Sequence, residues 1–135
     1  HAGISDSILM MRISIPEINK IVRKVLTDPY GRINKEASMI LFDYGVLWYR
    51  GFITEDESYS RISQNSVEKI LSYYNADRFI VGHTIVGDIS TDYKGKLIRL
   101  DVDHYKNIAS GILILGDTIY KVKETGEKEL LYKKK

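Results

Sequence analysis

Apolar residues at helical spacing mark the front of the chain. Ser14 precedes Pro16 and Glu17, an order typical of a helix start in which serine caps the helix and glutamate completes a capping box. Residues 27–31 contain Asp, Pro and Gly and end this helix. Between these signals, one helical stripe is formed by Ile15, Ile18, Ile21, Val22, Val25 and Leu26.

The same spacing predicts two more helices and then a strand. Residues 34–42 form a short helix with Ala37, Ile40 and Leu41 turned inward, and residues 65–75 form a third helix. The third helix runs into an apolar strand over residues 78–82. A helix followed by such a strand is an αβ unit.

Beyond residue 95 the pattern becomes that of a β protein. Residues 96–102 alternate between apolar and polar positions, which is typical of a half-buried strand. Three short runs follow, at 112–115, 118–123 and 127–132, separated by Gly116-Asp117 and Thr125-Gly126. Short strands joined by tight turns predict an antiparallel meander. The fold class is therefore α/β with α+β character.

Composition excludes only a few classes of partner and chemistry. The chain has 135 residues, the length of one domain, and its net charge of +2 comes from 20 basic and 18 acidic residues. This balance argues against nucleic acid as a partner. No apolar run approaches the ~18 residues of a membrane span, so no membrane partner is expected. There is no cysteine, which excludes disulfides and thiolate chemistry.

The most informative polar residues follow the strand over 78–82. Gly82, His83 and Thr84 come directly after three apolar residues, and ligands of open α/β sheets bind at the carboxyl ends of strands. Gly82 lets the backbone turn sharply or approach a ligand closely. His83 then faces a pocket, as a neutral ligand or a proton carrier, or it simply caps a loop.

Residues 44–52 form a second candidate segment. They contain the only Trp of the chain, two Tyr, two Gly and Arg50. One interpretation is that the aromatic residues fill the core beneath a loop. The other is that they form a pocket wall that presents Arg50 to an anion, because a guanidinium group binds phosphate with two parallel hydrogen bonds.

Four short segments, in order along the chain, carry a family resemblance. Residues 1–5 (His-Ala-Gly-Ile-Ser) resemble a His-Gly-Gly-(Leu/Ile)-Ser segment, and residues 47–51 resemble a Trp-x-Arg segment. Residues 81–84 resemble a Gly-His-Thr segment, and residues 95–101 resemble a Gly-(Lys/Arg)-Leu strand followed by an acid. The segments and their order are similar to those of the calcineurin-like metallophosphoesterases, the superfamily of Ser/Thr protein phosphatases and symmetrical dinucleoside tetraphosphatases.

The resemblance implies roles for particular residues. His1 and His83 would be ligands of a pair of divalent metals, Mn, Fe or Zn, and Arg50 would bind the substrate phosphate. A metal pair activates a water and polarises the phosphoryl oxygen. Further candidate site residues are Thr84, Asp103 and His104. His104 matches no motif of the family and is interpreted first as a residue of a surface loop. The alternative is that it lines the substrate mouth near Asp103.

The sequence lacks several motifs of that family, and these absences limit what the chain is expected to do. Its Asp-x-His, Gly-Asp-x-x-Asp and Gly-Asn-His-(Asp/Glu) motifs are absent, and Ala2 stands where the family has glycine. The chain therefore resembles one partial domain, residues 1–135, equal to the C-terminal half of a β-sandwich flanked by helices. Two histidines do not complete a metal centre, so the chain alone would be inactive or nearly so.

The expected partners follow from this incomplete domain. They are a phosphoester substrate and the missing N-terminal half, and self-association is expected because a truncated sandwich exposes a strand edge and an apolar face. Two alternative hypotheses stay open. In the first, the chain is a non-catalytic binding or assembly module of the same fold. In the second, the fold is unrelated and Gly-His-Thr is a phosphate-binding loop.

Overall fold

The computed structural model describes residues 3–28, 30–53, 60–103, 105 and 109–134. Its contacts divide the chain into two compact units, His1–Asp77 and Arg78–Lys135. In the described residues, the first unit is helical and the second contains all six strands. The chain is thus mixed α/β, with helices first and small sheets last, which confirms the general fold class expected from the sequence.

In its described residues the first unit contains four helices, and the residue before each helix has a side chain that accepts a hydrogen bond from the first turn. Within the described residues, no helix has the length and apolarity needed to cross a membrane. The caps are Ser5, Ser14, Asn34 and Ser63. The helices are α1 (Asp6–Met11), α2 (Ile15–Thr27), α3 (Lys35–Leu41) and α4 (Gln64–Tyr73).

The start of α2 confirms the sequence prediction in detail. The Ser14 hydroxyl accepts a hydrogen bond from the Glu17 N–H, while the Glu17 carboxylate accepts one from the Ser14 N–H at 2.9 Å. These hydrogen bonds lower the pKa of Glu17 below its ordinary value. In contrast, α1 was not predicted, because six residues are too few to show a helical period.

An apolar cluster holds the first unit together. Its buried members come from α1, α2, α3 and the α1–α2 connection, and they are Ile8, Ile13, Ile18 and Ile40. The Tyr74 hydroxyl donates a hydrogen bond to the Ile13 carbonyl at 3.0 Å, which ties the end of α4 to the α1–α2 connection. Helices α1, α2 and α3 therefore share one core, to which the end of α4 is joined by the Tyr74 hydrogen bond.

Two three-stranded sheets form the second unit. In the first, β1 (Phe79–Val81) pairs in parallel with β3 (Leu97–Arg99), which pairs antiparallel with β2 (Ser90–Asp92). The second is the meander that the sequence predicted, β4 (Ser110–Leu115), β5 (Thr118–Lys123) and β6 (Lys128–Lys133). Its two turns place Gly116 and Gly126 at φ 55° and 83°, a conformation that favours glycine.

A buried apolar cluster connects the two sheets within the second unit. Ile89, Ile98 and Val102 from the first sheet and its loops pack with Ile119 of β5. The structure shows two small sheets on a shared core, but it does not confirm the metallophosphoesterase-type sandwich expected from the resemblance. Whether the chain is one partial domain stays a prediction.

Candidate functional site

The carboxyl ends of β1 and β3 lie side by side, because these strands are parallel neighbours. Val81 is opposite Arg99 in the register, and the Leu100 N–H donates to the Val81 carbonyl at 3.0 Å. Farther along, the Val86 N–H donates to the Asp101 carbonyl at 2.8 Å. Residues 82–84 and 100–103 therefore lie side by side at the end of the sheet where β1 and β3 terminate. In open α/β sheets, ligands bind at this carboxyl end of the strands. We call these two segments the β1–β3 edge.

His83 has an unusual backbone conformation at this edge. Its φ is 67°, in the left-handed region that a non-glycine residue rarely adopts and that costs about 1–3 kcal/mol. Its side chain is exposed. The sequence attributed the turn to Gly82, but Gly82 is not in the left-handed region, and a Cβ there would lie 3.9 Å from the Asp101 Cβ. The strained residue is thus the histidine itself.

Thr84 and Asp103 add polar groups to the same edge. The Thr84 Oγ1 is buried and has no hydrogen-bond partner, which costs about 1–3 kcal/mol for a buried polar group. Asp103 is half-buried, and its carboxylate accepts a hydrogen bond from the Tyr105 N–H at 3.2 Å. Unsatisfied buried polar atoms are rare in native structures, which marks Thr84 as a candidate for ligand binding.

Asp101 is the residue of this edge that sequence reasoning did not select. It follows β3 as His83 follows β1, and its Cβ is the nearest atom to the open side of Gly82. The signal that would have found it is the parallel register, because polar residues that follow neighbouring parallel strands meet at one edge. Without that register, the acid looked like an ordinary residue at a strand end.

An ion pair anchors the loop that follows Thr84. Lys121 of β5, whose side chain is only 10% exposed, donates to the Asp88 carboxylate at 2.5 Å. A second carboxylate, that of Glu129, lies 3.9 Å from the same ammonium group. The hydrogen bond from Lys121 lowers the pKa of Asp88 below its ordinary value. The loop is therefore tied to the meander in the ionised state.

Arg50 lies in the first unit, in a segment fixed by aromatic packing. Tyr49 and Phe52 are buried on either side of it, and their rings meet edge to face with centroids 5.7 Å apart. Gly51 is required there, because a side chain would overlap the Tyr49 hydroxyl. Arg50 itself is half-buried. Buried neighbours thus hold its backbone in place.

The aromatic residues of this segment divide between the two roles that the sequence left open. Tyr49 and Phe52 are core residues, with 5% and 0% of their surface exposed. Tyr44 and Trp48 are 49% and 48% exposed. The buried pair supports the core interpretation, and Trp48 of the exposed pair leaves aromatic surface two residues away from Arg50.

The structure places the candidate residues in different units, and two of them lie outside the described residues. It brings His83, Thr84 and Asp103 to the β1–β3 edge of the second unit, while Arg50 belongs to the first unit. His1 and His104 lie outside the described residues. The roles proposed for these side chains stay predictions.

The predicted pair of divalent metals is corrected. No group of three or more His, Cys, Asp or Glu that could hold a metal ion occurs in the described part of the chain. His83 is the only histidine in that part. The described residues therefore do not fit a metal pair.

Comparison with known proteins gives a structural match only. No protein-family model matches the chain, and no curated protein matches it. A cold-active protein tyrosine phosphatase of a psychrophile, Shewanella sp., matches with 20% identity and a TM-score of 0.77, over 97% of this chain and 39% of that chain. A point mutant of a cold-active protein tyrosine phosphatase gives the same coverage and identity with a TM-score of 0.78. A further structure at 1.1 Å also scores 0.78, with 20% identity over 97% of this chain and 38% of that chain.

These matches correct the family expected from the sequence. The matched structures are cold-active protein tyrosine phosphatases, and no family model matches the chain. We therefore withdraw that assignment together with the metal pair. At 20% identity the likeness establishes a shared fold. The chain spans about two fifths of the length of the matched phosphatases, at 39%.

Proposed function

We propose that this chain is a segment of a phosphoester hydrolase. One observation carries the proposal: 97% of the chain superimposes on phosphatases with a TM-score of up to 0.78. The chain covers only 39% of the matched enzyme. We therefore propose that the rest of the hydrolytic site lies outside it, and that the chain alone hydrolyses phosphoesters poorly or not at all.

Arg50 is proposed to bind the phosphate group. Phosphate carries its charge on several oxygens, and a planar guanidinium matches two of them at once. The buried side chains of Tyr49 and Phe52 hold the backbone on both sides of Arg50. A backbone held by packing reduces the entropy lost when the side chain orders on a ligand.

The β1–β3 edge is proposed to face the phosphoester. His83 offers an exposed imidazole, the side chain that most often serves as a general acid or base in enzymes. The Thr84 hydroxyl, which lacks a hydrogen-bond partner, is able to donate to a phosphoryl oxygen. Positive φ at His83 is the kind of strain that accumulates at functional sites.

Aryl phosphates are the proposed substrate class. The matched structures are described as tyrosine phosphatases, and tyrosine phosphate is an aryl phosphate ester. The exposed ring of Trp48 lies two residues before Arg50 and offers a surface on which an aryl group stacks. Phenylphosphonate, which is not hydrolysed, is the matching probe for binding.

Calorimetric titration with phenylphosphonate tests the phosphate role of Arg50. Arg50→Gln removes a charge-assisted bidentate contact and should weaken binding about tenfold. Arg23→Gln, a matched loss of charge at an exposed position of α2, should bind as the parent chain does. Equal affinity of the Arg50→Gln variant and the parent chain would exclude Arg50 as the phosphate ligand.

Turnover of p-nitrophenyl phosphate separates the remaining possibilities. The assay is run in parallel with a chelator and with Mn²⁺, so that metal content does not decide the result. Binding of phenylphosphonate with little or no turnover is expected of a hydrolase segment. Robust turnover by the chain alone would contradict the segment proposal, and absence of both binding and turnover would favour the non-catalytic module.

A further inference from the structure

Strand β4 forms an unprotected edge of the meander in the second unit. It pairs with β5 on one side only, because the strand order of this sheet is β4-β5-β6. Its six residues, Ser110–Leu115, contain no charged residue and no proline. Folded proteins normally protect a long strand edge with charges, prolines or bulges, since an open edge pairs readily with another strand. We call the side of β4 that faces away from β5 the β4 edge.

The remaining sheet edges in the described residues carry such protection. β6 contains Lys128, Glu129 and Lys133, and its pairing with β5 shifts register between Ile119 and Tyr120. β1 and β2, at the edges of the other sheet, have only three residues each, and a short edge offers little to pair with. Among the described strands, β4 alone therefore combines length with an uncharged edge.

Alternate residues of β4 direct their backbone groups toward β5 and away from it. The Glu124 N–H donates to the Ala109 carbonyl at 3.2 Å, which fixes the hydrogen-bonded pairs of this hairpin at the odd-numbered residues of β4. The residues whose N–H and C=O face outward are Ser110, Ile112 and Ile114. No described residue forms a hydrogen bond with these outward groups. The β4 edge thus presents three donors and three acceptors.

A second copy of β4, running antiparallel to the first, would satisfy all of these groups at once. With Ile112 on a two-fold axis, each Ile112 lies opposite the other, and Ser110 lies opposite Ile114 of the second copy. Residues directly opposite in such pairs exchange both N–H···O bonds, so every outward donor meets an outward acceptor. Because β4 carries no charge, no like charges face each other across the axis.

Side-chain size favours the same register. Small residues, Ala109 and Gly111, occupy one end of the outer face of β4, and Leu113 and Leu115 occupy the other end. The register places Leu113 of the second copy opposite Gly111, and Leu115 opposite Ala109. A Cβ at Gly111 would meet no atom within 4 Å, so this position has room for the leucine.

The space beside Gly111 is a shallow hollow of about 570 Å³. Its lining on the outer face includes Leu113 and Val122. The charged residues that also line it come from β5, from the turn after it and from β6, and they are Lys123, Glu124 and Lys128. None of them lies on β4, so the strand of a second copy would not have to cover them.

We propose that two copies of this chain pair through the β4 edge, antiparallel about Ile112, and join their meanders into one six-stranded sheet. The self-association expected from the sequence thus takes place through one defined strand. A strand of another protein would satisfy the same backbone groups, but the order of small and large residues on β4 is complementary to β4 itself. The proposal does not depend on the phosphoester role of the chain.

Hydrogen exchange of the backbone amides, followed by NMR on the full chain over a range of protein concentrations, tests the pairing. Protection of the Ser110, Ile112 and Ile114 amides should rise with protein concentration. The amides of Leu113 and Leu115, which already bond to β5, should be protected at every concentration. Sedimentation velocity on the same samples should show a monomer–dimer equilibrium.

Gly111→Val separates dimerisation from folding. The free space around Gly111 accommodates valine in the monomer, where valine also favours a strand. The same side chain would collide with Leu113 of the second copy, so the dimer should weaken about tenfold or more. Thr118→Val adds apolar surface to the neighbouring strand β5 and should leave the dimer unchanged.

Ile114→Lys provides a second test that does not rely on overpacking. It places a charge on the β4 edge, at a residue that is 40% exposed, and should weaken the dimer because a charged edge resists pairing. Leu130→Lys places the same charge on β6, at a residue that is 58% exposed, and should leave the dimer unchanged. Thermal unfolding at low protein concentration checks that each variant is folded as a monomer.

Three results would overturn the proposal. The first is a chain that stays monomeric at the highest concentrations used for NMR. The second is a dimer that Gly111→Val and Ile114→Lys leave intact, which would assign self-association to another surface. The third is protection that rises with concentration elsewhere but not at Ser110, Ile112 and Ile114.

Discussion

Two candidate segments, one in each unit, are held by different kinds of interaction. Arg50 sits between Tyr49 and Phe52, which are buried in the first unit. His83 sits beyond β1, where its surroundings are fixed by backbone hydrogen bonds to the segment after β3. The first position depends on side-chain volume, and the second depends on strand register.

The difference matters for how each segment responds to change. A buried aromatic residue contributes to the stability of its whole unit, so loss of packing near Arg50 should unfold that unit as well as displace the guanidinium. Backbone pairing does not depend on side-chain identity, so the β1–β3 edge should tolerate replacement of His83. The role proposed for the edge is therefore separable from stability, and the role proposed for Arg50 is less so.

The largest effect is expected from Phe52→Ala. Phe52 is fully buried, and removal of a buried phenylalanine ring typically costs about 3–5 kcal/mol. Urea unfolding followed by circular dichroism measures the change. Trp48→Ala, in the same segment but with 48% of the residue exposed, should cost about 1 kcal/mol or less. Equal losses in the two variants would contradict the packing account of the Arg50 segment.

Lys121→Met tests the ion pair that anchors the loop after Thr84. Methionine keeps the apolar stem of a side chain that is 10% exposed, while Asp88, 57% exposed, regains water. We expect a loss of about 1.5 kcal/mol, the lower range for a hydrogen bond to a charged group. Lys123→Met, which removes a more exposed amine in the same strand, should cost less than about 1 kcal/mol.

The same pair gives a pH dependence of defined sign. The hydrogen bond from Lys121 lowers the pKa of Asp88 from its ordinary value of 3.8. A carboxyl with a lowered pKa stabilises the fold above the unfolded pKa and loses that contribution as the pH falls through the folded pKa. The stability difference between the parent chain and Lys121→Met should thus be full near neutral pH and shrink below about pH 4. A difference that grows on acidification would contradict this linkage.

Ser14→Ala tests whether a loss of stability elsewhere in the first unit also weakens phosphate binding at Arg50. It removes the cap of α2, and the expected cost is about 1 kcal/mol. Because Ser14 is far in sequence from the aromatic residues around Arg50, binding of phenylphosphonate should be unchanged in the folded variant. Weaker binding at full folding would show that the Arg50 segment depends on α2 and not only on its own packing.

The smallest effect is expected from His83→Gly. Glycine removes about 1–2 kcal/mol of left-handed strain and adds about 0.5–1 kcal/mol of backbone entropy in the unfolded chain. The net result is a gain of about 0.5 kcal/mol, measurable by thermal unfolding. His83→Asn, a residue that tolerates φ above zero, should fall between the parent and the glycine variant. Destabilisation by both would show that side-chain contacts of His83 outweigh its backbone strain.

The sequence predicted the elements whose signals are local. The capping box at Ser14 and Glu17 and the meander of short strands joined by two glycine turns were both predicted, because each depends on residues close in the chain. α1 and β2 were missed, since six and three residues show no period. The left-handed conformation of His83 was also missed, because glycine is the residue expected to adopt it.

The candidate site was only partly accessible from the sequence. His83, Thr84 and Asp103 were selected from strand ends and motifs, whereas Asp101 required the parallel pairing of β1 with β3. Motifs of three to five residues suggested a metallophosphoesterase and a metal pair, neither of which is retained. Such short matches recur by chance and need their structural context.

The phosphoester role of the β1–β3 edge is tested most directly by following the backbone amides of residues 82–84 in NMR spectra during a titration with phenylphosphonate. Saturable shifts at Gly82, His83 and Thr84, reduced in a Thr84→Val variant that removes the unpartnered hydroxyl, are the expected result. Spectra in which these three amides do not move at saturating phenylphosphonate, while other regions do, would contradict it.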